Sequence, residues 1–299
     1  MVKLPLRAEL NSLAGMDASM THASQSIVRR AAAAAAMLVL AAGLSGCNKL
    51  KARDLLNKGV AAFKEGQYDR AVDQFQKAKE ADPDLMNARL YLATAYATQY
   101  IPGAPSDQNK KLGEQAVAEF KEVLEKDPKN LNAIDGIGSI LFQMAGTPYK
   151  PEMFEESKKY HQKHIDIKPE DPEPYYWIGV IDWTLSFRGN GELRKTYNEK
   201  NLKKQVKETD PLPSSVRGEY ASKYGTMIDE GITSLKKAID LRPDYDDAMA
   251  YLNLLDRRKA DAVDSESERS ALLKEADDLV DKVKEVKQKR ASQPTPSPS

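Results

Sequence analysis

Cysteine is almost missing from this chain. Cys47 is the only one in 299 residues, so no disulfide can form within it. Histidine is nearly as scarce, with three residues, and aromatic side chains make up only 7%. Two of the histidines, His161 and His164, sit three apart on one helix face. A metal site there would need further ligands, and no second thiol exists to supply them. They read as packing substitutions that would loosen their unit at acid pH, because buried histidines resist charging. Neither charge is in excess: 45 Lys and Arg face 45 Asp and Glu. Nucleic-acid binding needs a concentrated basic face and is not expected. There is no phosphate-binding loop ending in Lys-Ser/Thr, no nucleophile elbow and no nucleophilic cysteine. Gly189-Asn190-Gly191 reads as a turn and not as a dinucleotide fingerprint. These absences point away from an enzyme, and no cofactor, metal or small-molecule substrate is expected.

Long apolar runs are lacking too, with one exception. Ala31 to Leu44 is apolar, follows Arg29-Arg30 and ends in Leu44-Ser45-Gly46-Cys47. It is too short for a permanent membrane span and fits a secretory leader occupying residues 1–46, with Met1, Met16 or Met20 as the start. Its end resembles the lipobox of bacterial lipoproteins. That resemblance implies a lipidated Cys47 as first mature residue, with residues 47–51 as a short tether. The membrane is then a partner through the lipid anchor, and the protein faces the periplasm in the cell envelope. Asn48, where an aspartate would retain a lipoprotein at the inner membrane, favours the outer membrane.

The strongest positive signal is Asn57 to Asp84. Ala52 to Glu65 reads as one helix and Tyr68 to Ala81 as a second. Gly59, Gly66, Tyr68, Ala71, Phe75, Ala78 and Pro83 stand at fixed spacing. Gly59 permits a close helix crossing, Gly66 suits a helix end, and Pro83 stops the second helix. The register recurs more weakly. Leu92, Ala93 and Tyr96 pair with Ala116, Phe120 and Pro128. Ile137 and Gly138 pair with Ser157, His161, His164 and Pro169. Ile178 and Gly179 pair with Gly231, Leu235, Ala238 and Pro243. A fifth unit starts near Asp246. The prolines at 83, 128, 169 and 243 lie 45, 41 and 74 residues apart, against 34 for one unit. All the excess falls between first and second helix: Tyr96–Ala116, Leu141–Ser157 and Asp182–Gly231. Insertions so placed should gather along one rim; function and tolerated drift both remain open as their origin. The longest, Leu185 to Tyr224, carries Arg188, Arg194, Lys195, Lys200, Lys203, Lys204 and Lys207. This cluster is a solvated face or a contact for anionic headgroups or an acidic partner.

At the other end, Leu272, Ala276, Leu279, Val283 and Val286 form one apolar stripe. It reads as a capping helix, with a coiled-coil partner as the alternative. Residues 291–299 read as a disordered Pro/Ser tail.

The quoted pattern over Ala52 to Leu255 resembles the tetratricopeptide repeat family. The resemblance implies an all-α fold: an α-solenoid of about five helix-turn-helix repeats with intra-repeat insertions over residues 52–290, capping helix included. It also implies a protein partner held in the groove lined by the first helices. By register the groove residues are Phe63, Tyr91, Phe142, Tyr176, Trp177 and Trp183, each of which could instead be core. Leu56 and Val60 stand where some family members clamp a peptide carboxylate, which favours an apolar extended segment or a helix as ligand. The expectation is a lipid-anchored envelope adaptor. The alternative is a structural subunit of an outer-membrane, pilus or secretion assembly machine.

Overall fold

Proline and small residues set the rhythm of the fold. In the computed structural model, residues 47–292 are described; residues 1–46, expected as a leader and including the apolar run, and residues 293–299, in the expected tail, lie outside them. Ten helices are present among the described residues: α1 (47–64), α2 (Tyr68–Ala81), α3 (Met86–Gln99), α4 (Asp107–Lys126), α5 (Leu131–Ala145), α6 (Pro151–Ile167), α7 (Pro172–Lys200), α8 (Ser214–Leu241), α9 (Asp246–Ala260) and α10 (Glu266–Ser292). They pair as helix-turn-helix units, an all-α solenoid pattern of about five repeats. Residues 47–51 are already helical, as the first turn of α1, and the last helix runs through residue 292. The described residues divide into two compact units, 47–88 and 89–292.

In the first unit, α1 meets α2 at Gly59. A Cβ there would lie 2.4 Å from the Phe75 ring, so only glycine allows this approach. Phe75, Ala71, Ala78 and Ala62 are buried around the crossing. Gly66 ends α1 with φ +75°, and Gln67 N–H donates to Ala62 O at 2.9 Å, which satisfies an end carbonyl.

The second unit repeats that crossing with altered partners. A Cβ on Gly138 would meet His161 at 2.9 Å, and one on Gly179 would meet Leu235 at 2.3 Å. His161 and Leu235 therefore hold the place that Phe75 holds in the first unit. α5 packs on α6, α7 on α8, and α9 on α10, while α4–α5, α6–α7 and α8–α9 join successive pairs. The units also end alike. A four-residue turn with proline second follows each second helix, closed by Leu85 N–H to Asp82 O (3.0 Å), Asn130 to Asp127 (3.1 Å), Asp171 to Lys168 (3.2 Å) and Tyr245 to Arg242 (3.0 Å).

The insertions meet. Gly103 in the first lies 3.7 Å, from its built Cβ, from Thr147 in the second. Tyr149 in the second lies under the Arg188 guanidinium, 4.5 Å from its ring centroid. Asn109 pins the first loop by accepting from Ile101 N–H (2.7 Å) and donating to Ile101 O (2.8 Å) and Ala104 O (3.1 Å).

The third insertion differs from its sequence reading. It is mostly helix: α7 continues to Lys200 and α8 begins at Ser214, leaving only 201–213 as a connection. Gly189-Asn190-Gly191 is not a turn but lies inside α7. Tertiary contacts override its weak helix propensity. A Cβ on Gly189 would lie 2.1 Å from Tyr224, so the close α7–α8 packing selects glycine there, and Asn190 is buried among polar partners.

The capping stripe packs on α9, with Ala276 fully buried and Leu279 against the core. Arg290 donates to Asp246 at 2.9 Å and Arg257 to Asp277 at 2.6 Å. The other faces of α10 are charged and exposed, as a terminal repeat requires.

Candidate protein-binding groove

The first helices of successive pairs bring together four of the five predicted aromatics of the second unit. Phe142 on α5 meets Trp177 on α7 edge-on at 5.4 Å, and Trp177 meets Tyr176 at 5.3 Å. Tyr176 reaches Tyr251 on α9 at 5.7 Å, Tyr251 reaches Trp183 at 5.3 Å, and Trp183 stacks on Phe187 at 5.1 Å. The result is one row across three helices. Edge and offset contacts of this kind add to burial and hold each ring in place. Phe142, Tyr176, Trp177 and Trp183 are half-buried, while Phe187 is 37% exposed. Tyr251 and Phe187 were not among the predicted residues. Their register, on a first helix and one turn after Trp183, would have found them.

Tyr91 stands apart from this row. It is 39% exposed and lines a groove of about 530 Å³ between α3 and α5, floored by Phe120. Thr94 and Thr98 stand on one wall and Asn132, Ser139 and Gln143 on the other. No charged residue lines it. The Thr94 and Thr98 hydroxyls donate to Leu90 O and Thr94 O of their own helix at 2.8 and 2.9 Å. Such a lining offers apolar contact and neutral side-chain hydrogen bonding to a peptide-like segment. Phe63 lies in the first unit, half-buried, its ring edge-on to Tyr68 at 5.3 Å. Cys47 is exposed at the start of α1.

A second cavity, about 300 Å³, lies between α7, α9 and α10. Trp183, Phe187, Leu254 and Leu273 supply apolar walls; Arg257, Arg258 and Arg269 supply charge. Glu208 and Thr209 from the third insertion close one side. Asp261 organises this corner. Its carboxylate accepts from Asn190 Nδ2 (3.1 Å) and Arg194 Nη2 (3.2 Å) and faces Arg258 (3.4 Å) and Arg269 (3.7 Å). Asn190, Arg194 and Asp261 are all buried. Arg194 is thus no member of a surface basic cluster, as its sequence position suggested. It also donates to Lys207 O at 2.8 Å, tying the connection to the helix. A partner 67 residues away in the chain leaves no local signature, which is why sequence reasoning missed it.

The two histidines are packed. His161 is 2% exposed and stacks on Trp177 at 5.9 Å. Burial, helped by nearby His164, pushes its pKa down to about 4. His164 Nδ1 lies 2.7 Å from Asp135 Oδ1, and its Nε2 lies 3.6 Å from Asp171. Among the described residues no group of three or more His, Cys, Asp or Glu could hold a metal ion, and no helix is long and apolar enough to cross a membrane.

Comparison with known proteins agrees with this geometry. Residues 52–85 match the tetratricopeptide repeat family. Among solved structures, the crystal structure of MamA is 16% identical with a TM-score of 0.52, covering 83% of this chain and 98% of that one. MamA 41-end from Desulfovibrio magneticus RS-1 is also 16% identical, with a TM-score of 0.53, covering 81% of this chain and 98% of that one. At that identity the likeness establishes the fold. No curated protein matches the chain. Residues 52–85 thus carry a tetratricopeptide repeat, and the described helices share the fold of these solved repeat structures.

Proposed function

We propose that this protein is a lipid-anchored adaptor of the bacterial cell envelope that captures a protein segment on its first-helix face. The observation that carries the binding half is the uncharged α3–α5 groove with Tyr91 exposed in its wall. Apolar contact plus neutral hydrogen-bonding groups suits an extended apolar segment or an amphipathic helix more than a charged tail. The aromatic row from Phe142 to Phe187 is a second contact zone, since large rings in half-exposed settings make good anchors. A photo-crosslinker at Tyr91 or Trp183 should trap one partner in cells. Crosslinks arising only from the insertions, and never from these two positions, would refute the groove reading.

The anchor half rests on Leu44-Ser45-Gly46-Cys47 and on the exposure of Cys47. It implies a periplasm-facing protein on the outer membrane. Cys47→Ser should move the protein from the membrane to the soluble fraction. Undiminished membrane attachment of that variant would sink the anchor, whatever the crosslinking shows.

A further inference from the structure

The connection that closes the long α7–α8 hairpin belongs to neither cavity wall between residues 195 and 207. Leu202 at its apex is 76% exposed, more than any other large apolar side chain among the described residues. Lys200, Lys203, Lys204 and Lys207 surround it in sequence and are all exposed, as is Lys195 about two helical turns before it. The one acid in the same stretch, Glu199, lies 4.0 Å from Lys195.

This apex is built. Asn198 spans it, donating to Val206 O at 2.9 Å and accepting from Val206 N–H at 2.8 Å. Asn201 Nδ2 donates to Tyr197 O at 2.8 Å, and Lys204 N–H to Asn201 O at 2.9 Å. Buried Arg194, held by Asp261, fixes the returning segment at Lys207 O. The Asp210 carboxylate is occupied by Lys207 N–H at 2.8 Å and does not fold back on the lysines. The chain thus presents one exposed leucine, flanked in sequence by exposed lysines, on a latched loop, where collapse onto the hairpin would have hidden it.

We propose that the 195–207 apex is a contact for an anionic lipid surface, with Leu202 entering the headgroup region and the lysines meeting phosphates. An acidic protein would match the lysines but leaves the exposed leucine unexplained. A lipid interface takes both, since basic residues near an anionic surface and a shallow apolar insertion add. The inference stands independently of the groove and of the anchor.

The test places an environment-sensitive nitrobenzoxadiazole label on Leu202→Cys in the full chain carrying Cys47→Ser. A control label goes on Lys77→Cys, an exposed site on α2. Because the readout is local to the label, membrane binding by residues 1–46 does not imitate it. With vesicles containing phosphatidylglycerol, the label at 202 should brighten and shift to the blue, and the control should not. Vesicles of phosphatidylcholine alone should give little change. Adding Lys203→Gln and Lys204→Gln should raise the lipid concentration needed by roughly 30-fold, with helical content unchanged. No change at 202 with anionic vesicles overturns the proposal. So does a response equal at 202 and 77, or equal with both lipids. Quenching or protection at 202 by soluble polyglutamate, without response to vesicles, would assign the apex to an acidic protein and also overturn it.

Discussion

The first repeat and the fourth share one crossing and differ in nearly everything beyond it. Gly59 under Phe75 and Gly179 under Leu235 are the same contact of a bare backbone against a large side chain. In the first repeat a short turn at Gly66 closes the unit. In the fourth, both helices run on by several turns, and a buried polar cluster of Asn190, Arg194 and Asp261 secures the extension. Apolar crossings tolerate substitution so long as size is kept, and Phe, His and Leu all serve at this position. A buried ion pair does not, because removing one partner leaves a desolvated charge behind. The repeat therefore supplies a permissive core, and the insertion adds a demanding one.

The largest expected effect breaks the demanding side. Asp261→Leu leaves Arg194 buried without its carboxylate and should cost about 3–5 kcal/mol by urea denaturation, whereas Lys195→Ala, exposed in the same helix, should change stability by less than ~0.5 kcal/mol. Equal small effects would mean that the cluster adds no stability to the hairpin.

Next comes the histidine that replaced the aromatic. His161 has its pKa depressed to about 4, against about 6.5 in the unfolded chain. The unfolded state takes the proton first, so the stability contribution is complete above pH ~6.5 and is lost as pH falls towards 4. The full loss is about 3 kcal/mol, from roughly 1.4 kcal/mol per unit. Asp182 acts oppositely. Burial, against the pull of Lys158, raises its carboxyl to about 7. The folded state holds that proton longer, so stability declines as pH climbs from about 4 towards 7. Asp256, raised to about 6 by burial, acts in the same direction as Asp182, so His161→Phe, which removes the opposing group, should make stability change more favourably as pH falls from about 6.5 to 4 than it does in the unaltered chain. A variant profile parallel to that of the unaltered chain would refute the assignment.

Two glycines sharpen the comparison at smaller scale. Gly59→Ala drives a Cβ into the Phe75 ring and should cost about 1–3 kcal/mol, net of the gain in helix propensity. Gly191 lies in α7 with nothing within 4 Å of a built Cβ, so Gly191→Ala should stabilise by up to about 1 kcal/mol. Thermal unfolding of the two variants, with shifts of opposite sign, checks both.

Much of this architecture was legible because it is local. α2 spans Tyr68–Ala81 as the spacing predicts, and the prolines at 83, 128, 169 and 243 occupy equivalent turns. Insertions confined to the middle of each unit have to share an edge, and Gly103 beside Thr147 and Tyr149 beneath Arg188 follow from that. The candidate groove was legible in part. Register identifies Tyr91, Tyr176 and Trp183 as facing the first-helix side, but it says nothing about whether Trp177 is spent on His161 or offered to a ligand. Gly189-Asn190-Gly191 misleads because its composition favours a turn, and only Tyr224 and Asp261 make it helix.

By itself the sequence determined the repeat: periodic small and large side chains, and prolines where each second helix must stop. Those are choices a chain makes within some twenty residues, from backbone sterics and the burial of one stripe. The tertiary structure alone decided what the longest insertion became. Its helices are held by Tyr220 and Leu235 in the core and by an arginine and an aspartate 67 residues apart. A buried charge needs its partner in space, and no spacing along the chain encodes that distance.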